Sequence, residues 1–397
     1  MIIIDNKSKC SGCTACFSIC PQKCIEMLPD SEGFLYPAVD ADNCIDCHLC
    51  EKVCPILNKI TISNQERKTY AINSKDDTNR INSSSGGMFL PLFDYVLSQK
   101  GIMYTAIFDK DFNVVHERLD AKPDGETLNR IRGSKYVQSN MIGIYPQVKT
   151  DVQKGKIVCF IGTPCQVYGL KKYLGKEYEN LLTVDLVCHG VPSPALWEKY
   201  LRYQKNKYKS QIKSIQFRGK KYGYHSGGFF TIFFENGKEY CASARVDFML
   251  KAFFKEISSR KSCYHCSFKQ LKRCSDLTLY DCWHFSELID NAVPDDNKGY
   301  TNVIVQSEKG MQILRAIADS VEMHSILTDK AERLDGKMIS RNAVPNASRD
   351  QFYITLNENG ISEAINRYIP VSKIDHLIEH AKKIAYKTKI IKSRRKK

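Results

Sequence analysis

One cysteine pattern occurs twice near the start of the chain: Cys10-Ser-Gly-Cys13-Thr-Ala-Cys16-Phe-Ser-Ile-Cys20-Pro21 and, 34 residues later, Cys44-Ile-Asp-Cys47-His-Leu-Cys50-Glu-Lys-Val-Cys54-Pro55. This spacing is typical of bacterial domains that hold two [4Fe–4S] clusters, where the fourth cysteine of each run ligates the other cluster. The spacing therefore predicts two ligand sets: Cys10, Cys13, Cys16 and Cys54 for one cluster, and Cys44, Cys47, Cys50 and Cys20 for the other.

Zinc is the alternative metal for these cysteine ligands. Zinc prefers paired Cys-x2-Cys knuckles in closed four-ligand sites, and two identical runs of four cysteines do not match that pattern. Cys24 stands outside the runs, and we expect it to be a packing residue. Residues 1–58 resemble the bacterial two-cluster ferredoxins, and we assign residues 1–60 to such a domain, which carries electrons.

Composition narrows the class of protein. The 397 residues are 43% hydrophobic and 26% charged, which is ordinary globular composition and excludes disordered, collagen-like and coiled-coil chains. The sequence contains no apolar run of the roughly 18 residues that a spanning helix needs, and its N-terminus does not read as a secretory signal. We expect a cytoplasmic protein whose 17 cysteines serve as metal ligands rather than disulfides.

The formal charge of +15 is unevenly distributed. Residues 1–60 carry five basic and eight acidic side chains, whereas Lys382–Lys397 carry nine basic and no acidic ones. We expect this basic end to be disordered. It offers weak peripheral contact with anionic lipid or sequence-independent contact with phosphates. Since no groove-reading motif accompanies it, we expect no specific nucleic acid partner.

The rest of the chain is predicted to be α+β. After a polar linker over residues 61–69, residues 70–325 alternate short apolar strands with helical stretches and predict a larger mixed α/β domain. Residues 326–397 are predicted to form a helical extension with a basic tail. The strand and helix predictions cover 102–108, 156–161, 181–187, 212–217, 229–234, 276–280 and 302–305 (strands) and 88–99, 166–174, 194–206 and 309–321 (helices).

Small residues precede one predicted helix in the large domain. Residues 82–87 read Asn-Ser-Ser-Ser-Gly-Gly and lead directly into the helix predicted over 88–99. Backbone amides at such a helix start can bind phosphate. The alternative is an ordinary serine cap with a flexible loop.

Four further cysteines suggest a third metal site. Cys165 follows a strand and begins a helix, where the helix dipole favours a thiolate, and Cys188 also directly follows a strand. Cys263-x2-Cys266 is a knuckle that needs two more ligands, and Cys165 and Cys188 are the obvious supply. The site would hold a third [4Fe–4S] cluster or zinc. Cys274 and Cys282 are rival ligands for this site. Cys159 and Cys241 are expected to be packing residues.

Several motifs in one order resemble the coenzyme F420 hydrogenase/dehydrogenase beta-subunit family. They are Ser84–Gly87, Arg132–Ser139, Gly162–Gln166, Asp185–Ser193, Phe217–Lys220, Cys263–Lys269 and Ser275–Asp276. Where many relatives have Gly-Asp-Phe-Trp-Gly, this chain has Tyr280-Asp-Cys-Trp-His284.

The resemblance implies an oxidoreductase that contains FAD and iron–sulfur clusters. It implies flavin-phosphate contacts at Ser84, Ser85, Gly86 and Gly87. Thr163 and Pro164 would lie close to the flavin, and Lys135 and Tyr136 would face its ring or the hydride donor. Cys165, Cys188, Cys263 and Cys266 would hold the cluster nearest the flavin. We assign no catalytic side chain, and we expect a structural hydrogen-bonding role for His189.

The functional prediction is an electron converter. A flavin takes two electrons as a hydride and releases them singly, as iron–sulfur clusters require. The protein would connect a hydride carrier, F420-like or other, with a one-electron redox partner protein. The alternative is a flavin-free electron-transfer adaptor that serves a separate enzyme, for which surface-polysaccharide biosynthesis is one setting.

Overall fold

The computed structural model describes residues 1–62 and 64–395, which contain sixteen α-helices and three β-sheets. The strands are β1 Ile25–Pro29, β2 Leu35–Val39, β3 Lys68–Ser74, β4 Ile102–Phe108, β5 Val114–Leu119, β6 Val158–Gly162, β7 Leu181–Leu186, β8 Ile212–Gly219, β9 Phe229–Phe234, β10 Glu239–Ala242, β11 Leu277–Cys282, β12 Tyr300–Val305 and β13 Val321–Ile326. The helices are α1 Ala15–Ile19, α2 Leu49–Lys52, α3 Asp77–Asn82, α4 Phe89–Ser98, α5 Gly125–Ile131, α6 Ile144–Gln153, α7 Pro164–Leu174, α8 Pro194–Tyr208, α9 Phe248–Phe254, α10 Phe285–Leu288, α11 Glu308–Ala316, α12 Thr328–Asp335, α13 Lys337–Ser340, α14 Arg349–Glu358, α15 Ile361–Tyr368 and α16 Lys373–Arg395.

The two cysteine runs fold as one repeated unit. Gly12 and Asp46 occupy equivalent positions with φ of +69° and +47°, and Thr14 and His48 do so with φ of +66° and +57°. Left-handed backbone is uncommon outside glycine, so its recurrence at the same positions shows that both loops turn in the same way. Each loop then enters a short helix, α1 or α2, and the antiparallel hairpin β1–β2 lies between them.

An eight-stranded mixed sheet organises the large domain, with the order β13-β3-β12-β11-β7-β6-β4-β5. The four central strands β11, β7, β6 and β4 run parallel to one another, and the outer strands pair antiparallel. Parallel strands place their carboxyl ends at one edge, where α/β folds usually bind ligands. The segments after β6 and β7, which carry Cys165 and Cys188, therefore meet at that edge.

Helices cover both faces of this sheet. Phe93 of α4 is buried in the core on one face, and Val167 and Leu170 of α7 are buried on the other. Cys13 and Ala15 belong to the same core as α7. The ferredoxin domain therefore packs directly against the α7 side of the large domain.

A second, three-stranded sheet forms a separate core. Its antiparallel strands, in the order β10-β9-β8, pack with α8 and α9 around Trp197, Tyr200, Phe217 and Phe230. Phe352 of α14 is buried in the same core. The C-terminal extension is therefore attached through this smaller sheet.

The predicted α+β class, with a ferredoxin domain, a mixed α/β domain and a helical tail, is confirmed. The strands predicted over 102–108 and 229–234 have the observed bounds. In the eight-stranded sheet, the three strands β3, β5 and β13 were not predicted. The helix predicted over 309–321 is too long, because α11 ends at Ala316 and Val321 already begins β13, an edge strand in which three of six residues are polar.

The linker and the tail also differ in detail from their sequence boundaries. β3 begins at Lys68, inside the predicted linker over 61–69. The last helix, α16, runs Lys373–Arg395, so the backbone is helical over most of the end that was predicted to be disordered, Lys382–Lys397. Residues 396–397 and the side chains from residue 389 onward lie outside the described residues. In the part of the chain that the structure describes, no helix has the length and apolar character needed to cross a bilayer.

Candidate functional site

The eight cysteines of the ferredoxin domain gather into two groups. We call them the inner group and the outer group. The inner group, Cys10, Cys13, Cys16 and Cys54, lines one small cavity. The outer group, Cys20, Cys44, Cys47 and Cys50, lines another. Each group contains the fourth cysteine of the opposite run, which is the arrangement that the spacing predicts.

The inner group is the more deeply buried. Cys13 and Cys16 are both buried, whereas Cys47 of the outer group is exposed. Burial raises the pKa of the Cys16 thiol to about 12 and also raises that of Cys13. A metal bound to these sulfurs would offset that cost, because metal ligation stabilises the thiolate form.

Cys24 lies beside the outer group. Its Sγ is 3.4 Å from Cys20 Sγ, and it lines the same cavity as the four outer cysteines. It is buried, as a packing residue would be. The spacing rule gave no sign of this proximity, because Cys24 belongs to neither run.

Four cysteines of the large domain line a third cavity, of about 230 Å³. They are the four predicted ones: Cys165, Cys188, Cys263 and Cys266. Cys165 is the second residue of α7, Cys188 follows β7, and the other two lie in and directly after the 3₁₀ turn Lys261–His265. The rival ligands Cys274 and Cys282 are not among the described residues that line this cavity.

Two basic residues, Lys269 and Arg273, line this third cavity. Lys269 donates hydrogen bonds to the carbonyl oxygens of Cys188 and, at 2.9 Å, of Met338. The buried Arg273 lies 3.0 Å from the buried carboxylate of Asp185. Burial raises the pKa of Cys188, and the Lys269 ammonium opposes that rise. Among the residues that the structure describes, no group of three or more His, Cys, Asp or Glu side chains is placed to hold a single metal ion.

A large cavity, of about 320 Å³, adjoins the third one. Cys165 and Cys188 line both cavities. Its wall also includes most of the residues that the resemblance assigns to a flavin site, namely Ser84, Ser85, Gly87, Lys135, Tyr136 and Thr163. Pro164 lines the neighbouring four-cysteine cavity instead.

Gly86 is held in place by hydrogen bonds of its own backbone. Its amide donates to Thr301 Oγ1 at 2.9 Å, and its carbonyl accepts from the Ser74 amide at 2.7 Å. A Cβ at this position would lie 2.7 Å from the Thr301 nitrogen. The glycine therefore lets the loop lie directly against the sheet.

The serine loop is held in place by protein contacts. Ser84 Oγ accepts a hydrogen bond from the Ser134 amide at 2.8 Å, and Ser85 Oγ donates to the Tyr300 carbonyl at 2.5 Å. The ammonium of Lys220 donates to the Ser85 carbonyl. Burial lowers the pKa of Lys220 to about 7. Lys220 lies in the quoted motif Phe217–Lys220, but the sequence gave it no role.

The cavity wall carries cationic groups. Arg132 Nε is buried and has no hydrogen-bond partner among the described residues. The Lys135 ammonium donates to the carbonyls of Ile131 at 2.6 Å and Gly133 at 3.2 Å, and burial lowers its pKa to about 7. Both residues line the large cavity. Arg132 was quoted as part of a motif but was not assigned a role, although a basic residue in a Gly-Ser loop is a recognisable anion-binding signal.

Two histidines on this wall have structural contacts. His116 is buried between Ser139 Oγ and the Ile161 carbonyl, each at 3.0 Å, and burial lowers its pKa to about 4, so it is neutral at pH 7. His189 Nε2 lies 2.6 Å from Glu256 Oε1. The sequence did not single out His116.

Two family models match the chain. The 4Fe-4S dicluster domain matches residues 9–57, and the C-terminal part of the beta subunit of coenzyme F420 hydrogenase/dehydrogenase matches residues 155–329. The protein is therefore an iron–sulfur oxidoreductase. Over residues 155–329 the large domain matches the C-terminal part of the coenzyme F420 hydrogenase/dehydrogenase beta-subunit family, which confirms the resemblance for the motifs from Gly162 onward.

Individual relatives show more distant similarity. An uncharacterized ferredoxin of Methanocaldococcus jannaschii is 36% identical over 53 residues, which are 13% of this chain and 68% of that protein. A chain of the F420-reducing NiFe hydrogenase complex from Methanosarcina barkeri aligns with 18% identity and a TM-score of 0.45, over 77% of this chain and 95% of that one.

Proposed function

We propose that this protein converts between two-electron hydride chemistry and one-electron transfer, using FAD, a third [4Fe–4S] cluster and the two ferredoxin clusters. The observation that carries the proposal is the shared wall of two cavities: Cys165 and Cys188 line both the four-cysteine cavity and the large cavity. A flavin in the large cavity would lie next to a cluster held by these cysteines.

The large cavity suits an anionic, ring-containing cofactor. Its volume of about 320 Å³ falls in the range of roughly 300–1,000 Å³ that is typical of cofactor pockets. Arg132 and Lys135 supply positive charge, and the Ser84–Gly87 loop presents small residues. Tyr136, stacked on Phe253 with ring centroids 4.9 Å apart, supplies an aromatic wall. FAD would supply the step between hydride and single electrons.

The four-cysteine cavity suits a cluster. Cys165, Cys188, Cys263 and Cys266 provide four sulfurs around about 230 Å³, and the pKa values of all four are raised by burial. Lys269 would balance part of the negative charge of a cluster with four thiolates. This site supports the third [4Fe–4S] cluster of the proposal.

After the third cluster, electrons would pass to a cluster on the inner group of the ferredoxin domain. Ser8, Ser11 and Ile56 of the ferredoxin domain line the four-cysteine cavity. A Cβ on Gly169 of α7 would lie 3.0 Å from Cys13 Sγ, and the same helix carries Cys165 near its start. The proposed order is therefore flavin, third cluster, inner group and outer group, with exposed Cys47 at the surface that a one-electron partner protein would meet.

The experiment is to purify the protein without oxygen and assay iron, sulfide and acid-released flavin. We expect about twelve iron and one flavin per chain, since each [4Fe–4S] cluster holds four iron. Cys263→Ser is expected to remove about four iron and leave the flavin, because Cys263 lines only the four-cysteine cavity. Cys274→Ser is the matched control and is expected to change neither.

The alternative of a flavin-free adaptor gives a different result. Such a protein would contain about eight iron and no flavin, and Cys263→Ser would leave its iron unchanged. That combination would overturn the proposal of an electron converter. The use of F420 is tested separately, by adding reduced F420 to the flavin-loaded protein and recording whether the clusters are reduced.

A further inference from the structure

A buried arginine lies between the four-cysteine cavity and the ferredoxin domain. Arg260 is fully buried and stands three residues before Cys263 in the chain. Its guanidinium donates to the Cys10 carbonyl at 2.7 Å, the Leu35 carbonyl at 2.9 Å and Gln138 Oε1 at 3.1 Å. Its Nη2 also lies within hydrogen-bond distance of Cys10 Sγ, at 3.5 Å.

The fold makes room for this side chain at the inner cysteine loop. A Cβ on Gly12 would lie 2.8 Å from Arg260 Nη1. The guanidinium also covers the ring of Tyr36, with 4.1 Å between Cζ and the ring centroid. At the position equivalent to Gly12 in the second run the residue is Asp46. The two loops thus share their backbone but differ where Arg260 approaches.

The charge of Arg260 lacks a carboxylate partner among the described residues, since the oxygens it bonds are carbonyl and amide oxygens. A buried cation is costly unless an opposite charge compensates it. Four thiolates and a [4Fe–4S] core carry net negative charge, and this charge increases when the cluster gains an electron. A cluster on the inner group would therefore supply the missing anion.

We propose that Arg260 raises the reduction potential of the cluster on the inner group, so that it is reduced before the cluster on the outer group. Net charge and hydrogen bonds to the ligand sulfurs are two determinants of iron–sulfur potentials. Arg260 acts through both, in a buried setting where charge interactions are strong. Reduction adds one electron from the reductant and neither forms nor breaks a bond.

The outer group has different electrostatic surroundings. Its nearby charges lie at the surface and compensate one another: the Met1 ammonium lies 2.7 Å from Asp46 Oδ1 and 3.6 Å from Glu51 Oε1, and Glu51 Oε2 lies 2.6 Å from His48 Nδ1. In the described part of the chain, none of the hydrogen bonds from an arginine or lysine side chain reaches the sulfur of an outer-group cysteine. Paired charges at the surface act only weakly on the added negative charge of a reduced cluster, so the asymmetry rests on Arg260 at the inner site.

The test is an anaerobic redox titration of the full-length protein, followed by electron paramagnetic resonance, for the natural sequence, Arg260→Gln and Arg260→Lys. The glutamine variant is expected to lower the inner-cluster potential so that its reduced-to-oxidised ratio falls at least tenfold at a fixed solution potential, which is about 59 mV for a one-electron couple. The lysine variant keeps the charge but not the planar fork, and a smaller shift in the same direction is expected.

The outer cluster is the internal reference and should keep its potential in both variants. Unchanged potentials of both ferredoxin clusters, in whichever variant retains its iron, would overturn the proposal, as would an equal shift of both. If Arg260→Gln loses iron, the lysine variant decides. The inference rests on the dicluster domain and on Arg260 of the large domain, so it stands or fails independently of flavin and of the third cluster, which the iron and flavin assay reports separately.

Discussion

The two cysteine runs have the same spacing and the same loop backbone, yet they lie in different surroundings. The inner group is packed against α7 and contacted by Arg260, while the outer group opens to solvent at Cys47, beside Asp46. Spacing therefore decides which cysteines come together, and contacts made by distant parts of the chain decide how the two sites differ. Substitutions in the inner group and in the outer group test whether the two sites differ in this way.

Loss of an inner cysteine should have the largest effect. Cys13→Ser removes a buried sulfur at the contact with α7, so we expect loss of one cluster, about four iron, and interruption of electron flow to the outer group. Cys47→Ser, at the exposed end, should also lose about four iron but leave reduction of the inner cluster intact. Iron analysis and electron paramagnetic resonance distinguish the two, and identical residual spectra would contradict the assigned order.

The next largest effect concerns the attachment of the ferredoxin domain. Glu32 follows β1 in the β1–β2 turn and forms a buried, two-pronged ion pair with Arg349 of α14, in which Arg349 Nη1 lies 2.8 Å from Glu32 Oε1. Glu32→Gln removes the buried carboxylate and leaves Arg349 with only the exposed Asp350, at 3.1 Å, so the cost is expected to approach, but stay below, the roughly 3–5 kcal/mol for a buried charge that loses its partner. Denaturant unfolding measures the loss.

The control for this ion pair is Glu198→Gln. Glu198 forms an exposed pair with Arg202, with 2.7 Å between Oε1 and Nη2, and exposed pairs of this spacing contribute about 0.3–0.5 kcal/mol. Equal destabilisation by the two variants would show that the Glu32–Arg349 contact does not anchor the domain.

A smaller, pH-dependent effect is expected at the cofactor cavity. Burial lowers the pKa of Lys135 to about 7, below the roughly 10.4 of a free lysine. Between these values the unfolded chain binds a proton that the folded chain does not, so this lysine costs stability, and the cost fades as the pH rises toward about 10. Lys135→Met should therefore increase the free energy of unfolding most at and below pH 7 and least near pH 10.

Stability curves at pH 7 and pH 10 check this expectation. The exposed Lys110→Met variant is the control, for which we expect the same difference from the natural sequence at both pH values. A Lys135→Met effect that grew with pH would have the wrong sign for a lysine whose pKa burial lowers.

The smallest predicted effect concerns Asp46, which lies beside the outer group. Asp46→Asn removes an exposed carboxylate beside the outer group, so the outer-cluster potential should rise slightly. The rise should shrink in high salt, because the Debye length falls from about 8 Å at 0.15 M to about 3 Å at 1 M. The same redox titration measures it, and a shift as large as that of Arg260→Gln would contradict the role given to burial.

Sequence reasoning succeeded where the chemistry is local. The spacing of the cysteine runs predicts both ferredoxin groups, and the strand-to-helix turn at Gly162–Gln166 predicts where Cys165 lies. It failed at contacts that only the folded chain creates. Arg260 meets Cys10 across 250 positions, and Lys220 reaches the Ser85 carbonyl across 135.

The strands that were missed all lack a strong local apolar pattern. β5 and β13 are the outermost strands of the large sheet, and each has exposed polar residues that weaken the apolar signal. β3 begins within a polar stretch at Lys68 and gains its place through pairing with β12 and β13, two strands far away in the sequence. Such pairing follows from the tertiary fold rather than from local pattern.

The number of electrons that the purified protein accepts tests the converter most directly. Coulometric reduction of the anaerobically prepared chain should consume about five electrons, one for each of three clusters and two for a flavin. Uptake of about two electrons, with the spectrum of the ferredoxin clusters alone, would contradict both the third cluster and the flavin and would leave an electron-transfer adaptor.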